Sequence, residues 1–211
     1  MATDPPLCAT REPTRDRILQ AGYGLLLRQG YHATGLKQIL DEAQVPKGSF
    51  YHYFDSKEHL AAELIDHYQQ RELQRWQRDF LSTAGARLAQ MRLGLQTVID
   101  GYRHCPDRQF GCLLATLSGE LALTTPFLRS AIDRANQAIC AAISDDMRQA
   151  QQQGDLRTDL SADALAALFW SAWQGATLQA KVARSTRPLE LVAELLLDHF
   201  YACRPLAGAP G

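Results

Sequence analysis

Helical periodicity runs through nearly the whole chain and is the feature that most limits its fold. From residue 14 onward, apolar residues such as Ile18, Ala21 and Leu25 recur at intervals of three or four, and no stretch alternates as a strand does. Proline and glycine interrupt the pattern only at separated points. The sequence therefore predicts an all-α protein whose C-terminal bundle has helices near 84–104, 110–123, 127–152, 161–185 and 188–203.

Two short segments near the N-terminus have the apolar spacing of helices and are separated by a tight turn. Leu36, Ile39 and Leu40 share one helical face, and the turn at 44–46 ends at a proline, which the start of a following helix tolerates. That helix is predicted over 47–53 and begins with a lysine. Two short helices joined in this way are typical of a helix-turn-helix that reads DNA.

Bulk composition excludes several functions. The net charge is −1, so DNA binding must depend on locally placed cations, and only four of the 22 basic residues are lysines. Five cysteines without a CxxC pair argue against a disulfide framework and favour the reducing cytoplasm. Apolar runs are too short for a membrane span. Motifs for catalysis, metal ligation or cofactor binding are missing from the sequence, so we expect no enzyme, no metal site and no cofactor.

The segment from Gly30 to Leu40 and the run Phe50-Tyr51-His52-Tyr53-Phe54-Asp55-Ser56-Lys57-Glu58 resemble the TetR/AcrR family of repressors. The resemblance implies a homodimer on palindromic double-stranded operator DNA, with a helix-turn-helix domain over 11–58 and a regulatory and dimerisation domain over 59–205. Residues 1–10 and 206–211 are expected to be flexible tails. Gln44 departs from the glycine that the family often has in the turn. The DNA contacts that the resemblance implies are Thr34, Lys37, Lys47, Gly48, Ser49, Tyr51, His52 and Lys57.

Two further segments, Gly111-Cys112-Leu113 and Leu178-Gln179-Ala180-Lys181, are similar to members of that family that sense electrophiles and oxidants. This similarity implies that Cys112 and Lys181 form a redox sensor. A neighbouring ammonium would lower the pKa of the thiol and favour its reaction. The alternative is structural: Cys112 as a small buried apolar residue and Lys181 as a lysine at the rim of a dimer interface. No role is assigned to Cys105.

A second mode of induction stays open from the sequence alone. Trp170, Trp173, Gln174 and Thr177 lie close together on one predicted helix and could line a pocket of about 300–1,000 Å³ for a non-covalent ligand. Cationic groups nearby would suit a small carboxylate. The sequence does not identify the operator, the target genes or the inducer.

Overall fold

The computed structural model describes residues 13–81, 87–104 and 111–201, and over these ranges it contains helices and no strand. The predicted all-α class is confirmed. The expected tails at 1–10 and 206–211, together with Cys105, lie outside the described residues. The helices are α1 (Thr14–Gln29), α2 (Leu36–Ala43), α3 (Lys47–Phe50), α4 (Lys57–Leu81), α5 (Arg87–Arg103), α6 (Leu113–Leu121), α7 (Pro126–Gln152), α8 (Ala162–Ala183) and α9 (Arg187–Glu194), followed by a π-helical turn, Leu195–Phe200.

The N-terminal head consists of α1, α2 and α3 around a small apolar core. Ile18, Ile39 and Phe50 are fully buried there. Gln44 ends α2 in the left-handed conformation at φ 53°, and the guanidinium of Arg17 donates to its carbonyl oxygen at 2.7 Å. This bond satisfies a backbone acceptor that the end of a helix leaves open.

The third helix is shorter than the sequence predicted. Its α-helical part ends at Phe50 rather than at Tyr53. The Phe50 carbonyl oxygen accepts bonds from the amides of both Tyr53, at 2.9 Å, and Phe54, at 3.0 Å, so the chain tightens into a turn. Phe50 and Phe54 both bury their rings, which fixes this turn against the head.

Helix α4 joins the head to the C-terminal bundle. Ser56 caps its start, because the Ser56 hydroxyl accepts a bond from the amide of His59 at 3.1 Å. The helix then packs against α5 and α7, while α7 packs against α8. Buried apolar side chains such as Leu117, Ile143 and Phe169 form the bundle core. One side of α4 therefore lies in the bundle, and its first residues lie beside the head.

The chain beyond α9 is tied to the first turn of α8 and to the connection that precedes it. The Tyr201 hydroxyl donates to the Leu165 carbonyl oxygen at 2.7 Å, and the Arg157 amide donates to the Tyr201 carbonyl oxygen at 3.1 Å. Within the three described ranges, every helix is too short or too polar to cross a membrane.

Candidate DNA interface and regulatory site

Exposed polar side chains follow the helix-turn-helix from α2 into the turn after α3. Lys37, Lys47 and His52 are exposed, and the Tyr51 side chain is 55% exposed although it is aromatic. The Tyr51 ring meets Phe50 edge to face at 5.3 Å, which anchors its base while the hydroxyl end stays in solvent. Ser49 is half-buried. These residue types can donate to phosphates and to base edges.

Gly48 stands in open space on α3. A Cβ atom added there would meet nothing within 4 Å, and the backbone does not adopt the left-handed conformation that favours glycine. Inside a helix, glycine is about 1 kcal/mol less favourable than alanine. The folded chain itself therefore gives no reason for glycine at this position.

Thr34 lies differently from what the sequence suggested. Its side chain is fully buried, and its hydroxyl donates to the Gly30 carbonyl oxygen at 2.6 Å. It also accepts a bond from the Gln29 amide nitrogen at 3.3 Å. The hydroxyl closes the turn after α1 because the carbonyls at the end of that helix need donors. The expected direct contact between Thr34 and the DNA backbone does not fit this position.

Lys57 begins α4, but its ammonium is already engaged within the head. Nζ donates to the Tyr31 carbonyl oxygen at 2.6 Å and lies 3.9 Å from the centre of the Tyr31 ring. Burial lowers the pKa of Lys57, an effect that the Glu120 carboxylate opposes. A phosphate contact from Lys57 would therefore have to compete with Tyr31.

The bundle holds the end of α1 at two points, and we call this region the junction. The ammonium of Lys181, on α8, donates to the carbonyl oxygens of Leu27 at 2.8 Å and Arg28 at 3.3 Å. A cation is favourable there because carbonyls at a helix C-terminus carry partial negative charge. The Glu120 carboxylate, on α6, accepts from the His32 amide at 2.9 Å. The head and the bundle are thus connected by charged side chains.

Cys112 lies inside the bundle, with only 2% of its surface exposed. Its sulfur accepts a hydrogen bond from the Tyr68 hydroxyl at 3.2 Å and a longer one from the Gln174 amide nitrogen at 3.9 Å. Burial raises the pKa of the Cys112 thiol, and the bond from Tyr68 only partly opposes this. The expected lowering of this pKa by Lys181 is not seen, because that ammonium is directed to the carbonyls of α1.

Tightly packed aromatic side chains occupy the position of the predicted tryptophan pocket. Trp170 and Trp173 are buried beside a cavity of only about 30 Å³, room for a water molecule or two. Trp170 Nε1 and Gln174 Nε2 both donate to the Asn136 amide oxygen, at 2.8 and 3.0 Å. Thr177 is buried, and its hydroxyl donates to the Gln174 carbonyl oxygen at 2.8 Å. These four residues pack as core and do not enclose a ligand-sized space.

A ligand-sized cavity of about 440 Å³, open to solvent on one side, lies instead between α1, α4 and α5. Leu27 and Val98 give it an apolar side, and Gly111 lies in its wall next to Cys112. We call it the arginine-tyrosine cavity after its polar lining, which includes Tyr23, Tyr68, Arg71, Glu72, Arg75 and Tyr102.

Sequence reasoning missed several residues that organise these sites. These residues bond partners that are far away in the sequence: Arg17, Tyr68, Arg71 and Glu120. Glu120 and His32, for example, are separated by 88 residues. Tyr68 and Arg71 are three residues apart on α4, so a hydroxyl on the buried stripe of that helix, next to a cation, was a usable signal.

An exposed helix-turn-helix joined to a helical bundle with a ligand-sized cavity defines the class: a DNA-binding transcriptional regulator. Residues 18–64 match the family described as bacterial regulatory proteins, tetR family, and residues 88–196 match the tetracyclin repressor-like, C-terminal domain.

Similar proteins of known name span the chain. The transcriptional regulator AcuR of Cereibacter sphaeroides is 32% identical, over 94% of this chain and 96% of its own. The transcriptional repressor NemR of Escherichia coli is 31% identical, over 86% of this chain and 90% of its own. Two crystal structures agree in fold. That of the reduced form of NemR is 30% identical, covers 90% of this chain and 98% of its own and has a TM-score of 0.78. That of a regulatory protein TetR from Rhodobacter sphaeroides is 31% identical, covers 90% of this chain and 99% of its own and has a TM-score of 0.83. This chain belongs to the TetR family and is a transcriptional repressor, not an enzyme.

Proposed function

We propose that this repressor binds palindromic operator DNA as a homodimer through the head, with residues 11–58 as the DNA-binding domain and 59–205 as the regulatory and dimerisation domain. The open space around Gly48 is the observation that carries the DNA contact. A glycine that the folded chain does not require makes room for another molecule to approach the backbone, here the sugar-phosphate backbone or a base edge. Lys37, Lys47, Tyr51 and His52 supply exposed donors around it.

Exposed apolar side chains on α8, on α9 and at the start of the π-helical turn support the homodimer. Val182 is 82% exposed, and Leu178, Leu191 and Leu195 are also exposed. Apolar surface clustered on two helices is costly in water and favours burial against a second copy of the same helices. A two-fold dimer would set the recognition helices about 34–36 Å apart or somewhat more, which requires an operator with two inverted half-sites. Such a repressor would act in the cytoplasm, where operator DNA is accessible.

Selection from randomised duplex DNA tests the DNA contact. We expect a palindromic consensus. Gly48→Ala should lower the affinity for that consensus at least about tenfold, because its methyl group occupies the surface that meets DNA, without lowering the stability of the protein. The matched control is Gly119→Ala on α6, which also enters open space and should leave DNA binding unchanged. A consensus without symmetry, or equal affinities for both variants, would refute the proposal.

For induction, we infer that modification of Cys112 releases the operator. NemR, the relative whose segments around the corresponding cysteine and lysine this chain resembles, has been described in a reduced form. In this chain, Cys112 follows Gly111 in the wall of the arginine-tyrosine cavity, and Tyr68 of the same wall bonds its sulfur. A reagent that enters the cavity therefore comes close to the thiol.

Two simple kinds of reagent, alkyl halides and hydrogen peroxide, would modify the Cys112 thiol. With an alkyl halide, the sulfur displaces halide, a sulfur–carbon bond forms, and the thiol proton leaves to water. With hydrogen peroxide, the thiol loses two electrons and becomes a sulfenic acid, while the peroxide is reduced to water. Either product is larger than the thiol. Because Cys112 is buried among close-packed side chains, the extra atoms would force the surrounding helices apart.

Iodoacetamide and hydrogen peroxide test this step on the protein bound to its selected operator. We expect peptide mapping by mass spectrometry to show that the complex dissociates in step with the adduct on Cys112 and not with the adduct on the more exposed Cys140. Cys112→Ser should stay bound under both reagents, whereas Cys140→Ser, which removes the half-buried thiol of α7, should behave as the unmodified protein. Release of Cys112→Ser by the same reagents would exclude Cys112 as the sensor.

Non-covalent induction is the second candidate, and the arginine-tyrosine cavity is the observation in its favour. Its volume of about 440 Å³ falls within the range of small-molecule sites, whereas the space beside Trp170 does not. The two modes are compatible, because Tyr68 belongs to both the cavity wall and the surroundings of the thiol.

A further inference from the structure

The arginine-tyrosine cavity combines cations with phenols and has one carboxylate. Arg71, Arg75 and Arg78 line it, and Glu72 is the single acidic residue of its lining. The formal charge of the lining is therefore positive in a protein whose net charge is −1. We propose that this cavity binds a small carboxylate, held by Arg71 between α4 and α1.

Arg71 carries a charge that its neighbours balance only in part. Its guanidinium donates to the Tyr23 hydroxyl at 2.5 Å, and the nearest oxygen of Glu72 is 3.9 Å away. Glu72 instead bonds Arg75. A guanidinium has five N–H donors in a planar fork that fits the two oxygens of a carboxylate. The closest hydrogen-bond partner of Arg71 is thus a neutral phenol, and an anion would complete its coordination.

Of the tyrosines around this cation, Tyr23 is suited to donate to an anion. The hydroxyls of Tyr68 and Tyr102 already donate to the Cys112 sulfur and to the Gly111 carbonyl oxygen. Burial raises the pKa values of Tyr23, Tyr68 and Tyr102, so all three remain neutral O–H groups at physiological pH. Because Tyr23 accepts its bond from Arg71, its own O–H remains able to donate to a further acceptor. A carboxylate held by Arg71 would find that second donor beside it.

The remaining walls favour a carboxylate with an apolar part over an inorganic anion. Leu27 and Val98 contribute apolar surface to the lining. An aliphatic or aromatic carboxylate would place its tail there and gain about 25 cal/mol for each Å² removed from water. Phosphate has no apolar portion to bury, and its higher charge would need more donors.

Occupation of the cavity would reach both the DNA head and the thiol. The Arg71–Tyr23 bond connects α4 with α1, the first helix of the head, and the Tyr68 hydroxyl bonds Cys112. A carboxylate that draws donors away from these bonds changes how α1 sits on α4 and how the thiol is held. This consequence for the operator rests on the proposed repressor function, whereas binding of the carboxylate does not.

Isothermal titration calorimetry of the DNA-free, full-length protein with sodium benzoate tests the binding. Benzamide serves as the uncharged probe, and inorganic phosphate serves as the anion without an apolar part. We expect benzoate to bind and both other probes to bind at least about tenfold more weakly. Arg71→Met should weaken benzoate at least about tenfold, because it removes a charge-assisted bond. Glu72→Gln should strengthen it, because the competing carboxylate is gone. The matched control is Arg148→Met, on the exposed part of α7, with unchanged affinity.

The Glu72→Gln variant shows whether misfolding could explain a loss of benzoate affinity in Arg71→Met, since a damaged fold would not gain affinity for benzoate. Benzoate affinity that is the same in Arg71→Met, Glu72→Gln and Arg148→Met, or equal binding of benzamide, would overturn the inference. Neither result affects the repressor proposal, which fails separately if the unliganded protein selects no DNA sequence.

Discussion

Replacement of Gly30 by alanine should destabilise the junction in two separable ways. Gly30 has φ 82° and ψ 179°, a region of backbone conformation that is essentially restricted to glycine. A Cβ atom built there would also lie 1.7 Å from Glu120 Oε1, far inside contact distance. The substitution therefore strains the backbone and displaces the carboxylate that accepts the bond from His32.

The two costs have different sizes. The backbone strain is of order 1–3 kcal/mol. Displacement of Glu120 removes its bond to the His32 amide, which we place at about 1 kcal/mol because the group is partly exposed. Gly30→Ala should thus cost about 2–4 kcal/mol, and Glu120→Ala about 1 kcal/mol. In the double variant the bond can be lost only once, so the sum of the single costs should exceed the cost of the double by about 1 kcal/mol.

Urea unfolding followed by circular dichroism measures these differences, with all variants at the same protomer concentration because the proposed dimer would add to the stability. Gly119→Ala, next to Glu120 but in open space, is the control and should not lose stability. The reasoning is refuted if Gly30→Ala lies within 0.5 kcal/mol of the unmodified protein, on the order of the error of such measurements, or if the two substitutions are additive.

Three further perturbations test neighbouring features. Gln44→Gly should raise the free energy of unfolding by about 0.5–1 kcal/mol, because the left-handed conformation is strained for glutamine. The hydrogen bond from Arg17 persists in this variant, since its acceptor is the backbone carbonyl oxygen. A measured loss of stability would contradict this. Lys181→Met should weaken operator binding severalfold in gel-shift titrations and leave the alkylation rate of Cys112 unchanged; a changed rate would show that the ammonium acts on the thiol after all. The Cys112 pKa is raised, so its alkylation by iodoacetamide should accelerate beyond pH 9. Tyr68→Phe should shift this profile further upward in pH, because the bond from Tyr68 lowers that pKa, and a downward shift would be inconsistent with the geometry.

Helix positions followed closely from the sequence because periodicity and capping are local. The helix predicted near 84–104 runs from Arg87 to Arg103, and the one predicted over 127–152 runs from Pro126 to Gln152. The aromatic run from Phe50 to Phe54 likewise predicted the helix-turn-helix, although its second helix ends early at Phe50, where the chain turns.

The cavity and the junction could not be predicted in the same way. Apolar periodicity tells which face of a helix is buried but not how two helices are rotated against each other, so the pairing of Arg71 with Tyr23 was invisible. Thr34 illustrates a second reason. A short polar side chain in a loop looks available for DNA, but its hydroxyl is needed by the Gly30 carbonyl oxygen. Lys181 was predicted to partner Cys112, whereas its ammonium contacts the carbonyl oxygens of Leu27 and Arg28.

The reach of Lys181 back to α1 has a consequence for the order in which the chain is completed. Its ammonium contacts the Leu27 carbonyl oxygen across 154 residues. At about 5–20 residues per second, synthesis separates the two groups by roughly 8–30 s. For that interval α1, α2 and α3 have their own small core, including Ile18 and Ile39, together with α4 and α6, which are made before α8 and contact α1. The part of the molecule that reads DNA is therefore made well before Lys181, and α8 closes the junction on a head that α4 and α6 can already contact.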